Sequence, residues 1–170
     1  KTSVLPVPVN IKTATKSSKR QFDKRKTTQI VWNHRWEYDK QPQVFFDAIG
    51  LLINEGYSIK LHVLGQSFRD VPDIFSQAKK QFSEEIESWG FQSRANYEAI
   101  LTQSDFIVST ALHDFQGLSL LEGIAKGCIP IAPDRVAYPE YLPKAHLYKI
   151  DSEPVNEAIN LYSHIKTSIE

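Results

Sequence analysis

Short apolar runs alternate along this chain with longer segments of helical periodicity. The apolar runs predict strands at residues 29–33, 58–64, 89–91, 105–110, 128–132 and 146–150. Apolar residues spaced three and four apart predict helices from Pro42 to just before Gly56, over 73–86, from a Ser93 cap through Leu101, over 118–126 and over 155–169. Strands that alternate with helices predict an α/β fold with right-handed crossovers and a mostly parallel sheet.

The segment from Asn10 to Thr28 departs from this pattern. It is poor in large apolar residues and rich in Ser and Thr, and seven bases stand against one acid between Lys12 and Lys26. The whole chain has 20 basic and 20 acidic residues, so 13 bases and 19 acids remain elsewhere. We therefore predict an interdomain linker with a basic arm over 1–28, and a folded, acidic domain over 29–170. The arm is either a solvated linker or a contact for nucleic acid, because clustered lysines neutralise phosphates.

Composition excludes several classes of protein. A single cysteine among 170 residues cannot form an internal disulfide or a cysteine-based zinc site. No apolar run reaches the roughly 18 residues of a membrane span. The five histidines are scattered without metal-ligand spacing, and His62, in an apolar strand, is expected to pack in the core. The chain has no methionine, which predicts that it is processed or cut from a longer protein.

Ligands of parallel α/β sheets bind beyond the carboxyl ends of the strands, which directs attention to the loops there. The loop after the first strand carries Arg35 and Lys40 just ahead of a predicted helix N-terminus. Two cations beside unpaired N–H groups suit a diphosphate. The competing interpretation is that both are surface cations paired with Glu37 and Asp39. No G-x-G-x-x-G run follows the strand, which argues against an NAD-type oxidoreductase.

The loop after the strand at 105–110 leads through Asp114 and Gly117 into a helix that contains Glu122. Two carboxylates separated by two helical turns are able to hold two pairs of ligand hydroxyls, such as those of a sugar and a ribose. Gly117 would let a ligand approach the backbone amides of Gly117 and Leu118. The structural alternatives are a capping role for Asp114 and, for Glu122, a buried acid satisfied by backbone or by Arg135.

Two spacings together resemble a known family. Arg35 and Lys40 have the spacing of an Arg-x4-Lys motif, and residues 109–131 follow the pattern PSxxEGFGxxxLEAMAxGxPVI almost position for position. In these motifs, the chain from Gln29 to Tyr141 resembles the C-terminal, nucleotide-sugar-binding domain of glycosyltransferase family 4. That resemblance implies a Rossmann-like parallel sheet with helices on both faces, as in the C-terminal half of a two-domain GT-B enzyme. It further implies a retaining cytoplasmic enzyme without a bound metal ion, whose N-terminal domain binds the acceptor.

Three runs are similar to the tRNA-queuosine mannosyltransferase group, namely residues 32–40, 109–115 and 133–140. The resemblance implies GDP-mannose as donor, queuosine in tRNA as acceptor, and tRNA as a partner. It also implies the roles of the site residues, listed here: Arg35 and Lys40 bind the diphosphate, Gly117 and Leu118 offer N–H groups to the phosphates, Glu122 binds the ribose, and Asp114 holds the sugar hydroxyls. Asp114, Arg35 and Lys40 form the catalytic set.

This chain departs from the family pattern at two positions. Asp114 stands where the family has Glu, so the acid is one methylene shorter, and Gln116 replaces an aromatic or apolar residue. These changes leave open a second hypothesis, a Rossmann-like RNA-binding or scaffold module without catalysis. Its support is the basic arm and the aromatic residues Trp32, Trp36 and Tyr38, which would stack on unpaired bases unless the tryptophans are buried.

Overall fold

A computed structural model describes residues 27–67 and 70–170. The predicted basic arm and nearly all of the predicted linker lie outside the described residues. The strands are β1 (Thr28–Asn33), β2 (Ile59–Leu64), β3 (Ile86–Gly90), β4 (Phe106–Val108), β5 (Ile129–Pro133) and β6 (Leu147–Tyr148). The helices are α1 (Pro42–Asn54), α2 (Ile74–Gln81), α3 (Arg94–Gln103), α4 (Leu118–Ala125) and α5 (Pro154–Ile169).

The six strands form one sheet in the order β3-β2-β1-β4-β5-β6, and every described pair is parallel. This is the strand order of a doubly wound Rossmann sheet. The predicted α/β fold with a parallel sheet is therefore confirmed. The chain winds outward from β1 in one direction and then from β4 in the other, so the switch point lies between β1 and β4.

Apolar side chains divide into two clusters, one on each face of the sheet. In β1 the division is direct, because Ile30 and Trp32 belong to the larger cluster and Val31 to the smaller one. Helices α1, α2 and α5 cover the larger cluster, and α3 and α4 supply Leu101 and Leu120 to the smaller one. Helices thus lie on both faces, as the family resemblance implies.

The starts of two helices follow from local chemistry. Pro42 opens α1, where its missing N–H has no intrahelical role and its fixed φ already suits a helix. Ser93 caps α3 as predicted, and its hydroxyl oxygen accepts a hydrogen bond of 3.3 Å from the Asn96 N–H. Both helices begin at the carboxyl edge of the sheet, next to the loops that follow β1 and β3.

The predicted helix over 73–86 is too long. Helix α2 ends at Gln81, and the buried Phe82 follows it. Ile86 belongs instead to β3, where it lies opposite Leu61 of β2. Phe82 and Ile86 are four residues apart, a spacing that imitates a helical stripe. The helical spacing of apolar residues therefore continues past the end of the helix. Only the pairing of Ile86 with β2 shows that the strand has begun.

Three predicted strands also have different limits. The strand at 89–91 is part of β3, which starts earlier and ends at Gly90, where φ is 82°. Phe91 then lies outside the sheet and is 78% exposed. The strand over 105–110 shortens to β4, because its last residues turn into the loop, and the strand over 146–150 shortens to β6. Within the described ranges, no helix is both long and apolar enough to cross a membrane.

We predict that Phe75→Ala lowers the free energy of unfolding by about 3–5 kcal/mol, because it removes a buried aromatic ring and leaves a cavity. Phe75 is buried and stacks on Trp36 with a centroid distance of 4.4 Å. Urea unfolding measures the change. Phe91→Ala is the matched control and should stay within about 0.5 kcal/mol, since that ring is exposed. Equal losses in both variants would contradict this packing.

Candidate active site

The loops that carry the predicted site residues lie together at the switch point of the sheet. We call residues 34–41 the β1 loop and residues 109–117 the β4 loop. Strands β1 and β4 are hydrogen-bonded neighbours and run parallel, so both loops leave the same edge of the sheet side by side. A crevice forms there in folds of this topology, because the crossovers on either side lead away in opposite directions.

Backbone and side-chain hydrogen bonds join the two loops. The Leu112 N–H donates to the Asp39 carbonyl at 2.8 Å, and the Thr110 hydroxyl donates to the Lys40 carbonyl at 2.6 Å. The buried Trp32 indole N–H in turn donates to the Thr110 hydroxyl oxygen at 3.0 Å. The loops therefore form one framework anchored on the core, which favours a site whose geometry is set before a ligand arrives.

Lys40 is buried, and its ammonium adds a further link between the loops. It donates to the backbone carbonyl of His113 and pairs with Asp39 at 3.1 Å. An ammonium has three N–H donors, so one remains for a ligand. Lys40 therefore contacts His113, the residue just before Asp114. This brings two of the three predicted catalytic residues into adjoining loops.

Arg35 lies on the rim of the site. Its side chain is 57% exposed and pairs with Glu37 at 3.1 Å. Both pairs named in the competing interpretation, Arg35 with Glu37 and Lys40 with Asp39, are present, but only Arg35 is a surface cation, because Lys40 is buried. An exposed ion pair contributes only about 0–1 kcal/mol, so a phosphate could replace Glu37 at little cost.

Asp114 organises the β4 loop. Its Oδ1 accepts hydrogen bonds from the N–H groups of Gln116 at 3.3 Å and Gly117 at 2.8 Å, and its Oδ2 accepts one from the Tyr138 hydroxyl at 3.0 Å. Its structural alternative, a helix N-cap, is therefore wrong in detail, because Gly117 is the N-cap of α4 and Asp114 instead closes the turn just before it. Each carboxylate oxygen accepts more than one bond, so Oδ2 still has capacity for a ligand hydroxyl.

The two predicted phosphate-binding amides differ in their partners. The Gly117 N–H is already bonded to Asp114, whereas Leu118 is the first residue of α4, where an α-helix leaves its N–H groups without intrahelical partners. Gly117 has a φ of 69°, and a Cβ there would lie 2.4 Å from the Tyr141 hydroxyl and 2.7 Å from the Tyr138 ring. Only glycine fits this turn.

Glu122 faces α3 across the smaller cluster. Its Oε1 pairs with Arg94 at 2.7 Å, and its Oε2 accepts a hydrogen bond from the Tyr97 hydroxyl at 2.9 Å. Arg135, the partner suggested for Glu122 in its structural alternative, binds the buried Glu157 instead. That suggestion was wrong because α5, not α4, packs beside Arg135.

A cavity of about 280 Å³ opens next to Glu122, beyond the ends of β1, β2 and β3. Its lining comes from Asn33, Leu64, Gly65, Phe91, Gln92, Arg94 and Tyr97. Arg94 and Tyr97 also bind Glu122, so this acid contacts two of the residues that line the cavity. Apolar walls with a few polar groups suit a flat aromatic ring such as a nucleobase.

Sequence reasoning missed the residues that hold the acids in place. In the sequence, Tyr97 is one of the apolar positions that predict a helix, and Arg94 belongs to no recognised motif. Tyr138 lies within the run 133–140 that resembles the tRNA-queuosine mannosyltransferase group, and that run was the one signal for it. Burial raises the pKa values of Tyr97 and Tyr138, and the neighbouring acids add to this, so both phenols remain donors.

His34, the first residue of the β1 loop, was also missed. It is buried, and its ring meets Trp32 edge-on at 4.9 Å. Burial lowers its pKa from 6.5 to about 4, with a smaller opposing effect from Asp114 and a reinforcing one from Lys40. The imidazole is therefore neutral at pH 7, and its Nε2 has no hydrogen-bond partner within the described part of the chain.

The second hypothesis, an RNA-binding or scaffold module, loses most of the support that it drew from aromatic residues. Trp32 and Trp36 are buried in the larger cluster, where they are unavailable for stacking on bases, and of the three aromatics only Tyr38 is exposed.

His62 packs as predicted, between the hydroxyl of Ser88 and the amide of Gln29. Over residues 27–67 and 70–170, no three His, Cys, Asp or Glu side chains come together as metal ligands would.

We predict that acid weakens the fold partly through His34. The imidazole is neutral in both states above pH 6.5, but below it only the unfolded chain takes up the proton until about pH 4. The free energy of unfolding should therefore fall across pH 6.5 to 4, by up to about 3 kcal/mol from this group. Urea unfolding at several pH values should show a shallower slope for His34→Gln. His113→Gln, at an exposed position, is the control, and an unchanged slope in His34→Gln would count against this account.

Comparisons with known proteins show the family to which this chain belongs. The family described as "Glycosyl transferases group 1" matches residues 14–161. The tRNA-queuosine alpha-mannosyltransferase of Drosophila melanogaster is 31% identical over 166 residues, which are 94% of this chain and 44% of that protein. The chain therefore spans less than half the length of this curated relative.

Solved glycosyltransferases share the fold. The pneumococcal O-GlcNAc transferase GtfA, solved with UDP and GlcNAc, superimposes with a TM-score of 0.69 at 15% identity, over 93% of this chain and 32% of its own. The catalytic domain of the cholesterol-alpha-glucosyltransferase of Helicobacter pylori gives a TM-score of 0.59 at 18% identity, over 82% of this chain and 87% of its own. With a family match over most of its length and a relative above 30% identity, this chain belongs to the group 1 glycosyl transferases.

Proposed function

We propose that this chain is the donor-binding domain of a glycosyltransferase that moves mannose from GDP-mannose to queuosine in tRNA. The observation that carries the donor-binding role is the junction of the β1 and β4 loops. There the buried Lys40 ammonium and Asp114 lie in adjoining loops at the switch point. The choice of donor and acceptor rests on the name of the Drosophila relative and on the three runs that resemble its group.

In this proposal the diphosphate lies across the start of α4. Arg35 exchanges its exposed pair with Glu37 for a phosphate, and Lys40 adds its remaining N–H. The Leu118 N–H and the positive end of the α4 dipole also point toward the diphosphate. Gly117 keeps its N–H on Asp114 and serves by leaving room for the ligand near the backbone.

The nucleoside and the sugar occupy opposite sides of the diphosphate. Glu122 accepts hydrogen bonds from the ribose hydroxyls near the 280 Å³ cavity, and the base enters that cavity beside Tyr97. Asp114 accepts the sugar hydroxyls through the free capacity of Oδ2. The two acids would thus bind different parts of one ligand.

The chemistry that these residues supply is stabilisation of the leaving group. Negative charge builds on the nucleoside diphosphate as the glycosidic bond breaks, and cations with oriented N–H groups lower the energy of that state. Arg35, Lys40 and the α4 N-terminus would do this without a metal ion. Family resemblance implies that the anomeric configuration is retained.

The proposal also concerns the rest of the protein. The acceptor would bind to an N-terminal domain, and tRNA would be the partner that presents queuosine. We place the domain from residue 29 onward against that domain through the carboxyl edge of its sheet, with residues 1–28 as the connection. The enzyme would work in the cytoplasm.

We expect GDP and GDP-mannose to raise the melting temperature of this chain in a thermal-shift panel, more than UDP or UDP-glucose do, because binding stabilises the folded state. Arg35→Ala should remove most of the shift, since it deletes an exposed cation of the diphosphate site. Lys80→Ala is the matched control, because Lys80 lies in the last turn of α2, away from the carboxyl edge.

The panel has two outcomes that would count against the proposal. If no nucleoside diphosphate at millimolar concentration changes the melting temperature, the donor-binding role fails. If UDP compounds act and GDP compounds do not, the donor-binding role stands and GDP-mannose is the wrong donor.

A further inference from the structure

Each of the two acids in the site receives a hydrogen bond from a tyrosine hydroxyl on another element. Tyr138 donates to Asp114 Oδ2 at 3.0 Å, and Tyr97 donates to Glu122 Oε2 at 2.9 Å. In both cases the acid lies in or just before α4, and the tyrosine comes from a different segment. The two contacts therefore tie the acids to elements other than α4.

The contact at Asp114 is buried on the tyrosine side. Tyr138 is fully buried in the smaller cluster, in the segment after β5, and its hydroxyl also meets the Ser109 hydroxyl at 2.7 Å. Ser109 follows β4, so the contact joins two strands' loops. It holds Oδ2 while the backbone amides hold Oδ1, which leaves the carboxylate a single orientation.

The contact at Glu122 has a defined direction. The Asn33 amide at the end of β1 donates to the Tyr97 hydroxyl oxygen at 3.0 Å. The Tyr97 proton is then directed to Glu122, so a chain of donors runs from β1 through α3 to the acid. Tyr97 and Asn33 also line the 280 Å³ cavity, which places this contact on the nucleoside side.

These contacts bear on the short side chain at position 114. An aspartate reaches one methylene less far than the family's glutamate, so a small rotation of its carboxylate changes what it touches. Three hydrogen bonds to a carboxylate, each charge-assisted, restrict that rotation. A carboxylate already held in position binds its ligand without the cost of being ordered. Loss of one of its hydrogen bonds should therefore lower the affinity for the ligand.

We propose that Tyr138 and Tyr97 are separate positioning residues, Tyr138 for the acid that binds the hexosyl group and Tyr97 for the acid that binds the nucleoside. This inference rests on the proposed function, because it assigns the two ends of a nucleotide-sugar to the two acids. It has a consequence that a general packing role lacks. Removal of each hydroxyl should affect a different part of the same ligand.

Calorimetric titration of the full chain with GDP and with GDP-mannose tests this. Tyr138→Phe should weaken GDP-mannose about tenfold and leave GDP within twofold, because only the sugar end loses its fixed acid. Tyr97→Phe should weaken both ligands by a similar factor of about ten, because both contain the nucleoside. Thermal unfolding of each variant confirms that it is folded at the temperature of the titration.

Tyr141→Phe is the matched control. Its hydroxyl lies beside Gly117 but has no hydrogen-bond partner within the described part of the chain, so its loss should leave both affinities within twofold. If Tyr138→Phe unfolds, Ser109→Ala replaces it, because it removes the other partner of the same hydroxyl. A selective loss of GDP-mannose affinity is again expected.

The outcomes separate the inference from the proposal beneath it. Wild-type chain that binds neither ligand overturns GDP-mannose as the donor and, with it, this assignment of the two ends of GDP-mannose. Wild-type chain that binds both, with Tyr138→Phe and Tyr97→Phe weakening the two ligands in parallel, overturns the assignment alone. Equal losses in Tyr141→Phe would do the same, because they would reveal a packing effect common to the site.

Discussion

The site depends on one buried contact, the hydrogen bond from the Lys40 ammonium to the backbone carbonyl of His113. It joins the loop after β1 to the loop after β4, and Asp39 supplies the compensating charge at 3.1 Å. A lysine is rarely buried unless it is paired, because its charge loses the solvation of water. That cost is offset only while the two loops stay together, so the contact sets the distance between the cations and Asp114.

Around this contact, the charged groups differ in how easily they change partners. Arg35 and Arg94 are exposed and pair directly with acids at the surface, where screening by solvent and salt keeps each pair weak. The phenol of Tyr138 is buried and that of Tyr97 half-buried, and away from water hydrogen bonds to a carboxylate are stronger. Cations on the rim can therefore turn to a ligand while the acids keep their positions, an arrangement that suits a polyanionic donor.

Much of the fold was predictable because strands and helices have different apolar periods. Every predicted strand and helix exists, and the alternation led directly to the parallel sheet. The predicted boundaries were wrong where a helix and the next strand follow each other closely and their apolar spacings overlap. Phe82 and Ile86 keep a helical spacing although Ile86 pairs with β2, since strand pairing depends on a distant segment that a local window does not contain.

The sequence alone indicated the order of the elements, the two motif spacings and, through them, the family. These features are local, because a motif and a period both extend over a few consecutive turns or residues. Tertiary structure decided the partners of the site residues: Glu122 meets Arg94 and not Arg135, and Asp114 meets Tyr138, 24 residues further along the chain. Such contacts follow from the strand order, which places β4 between β1 and β5 and so brings their loops together. Neither hydrophobic spacing nor motif length encodes which distant side chain reaches an acid across that edge.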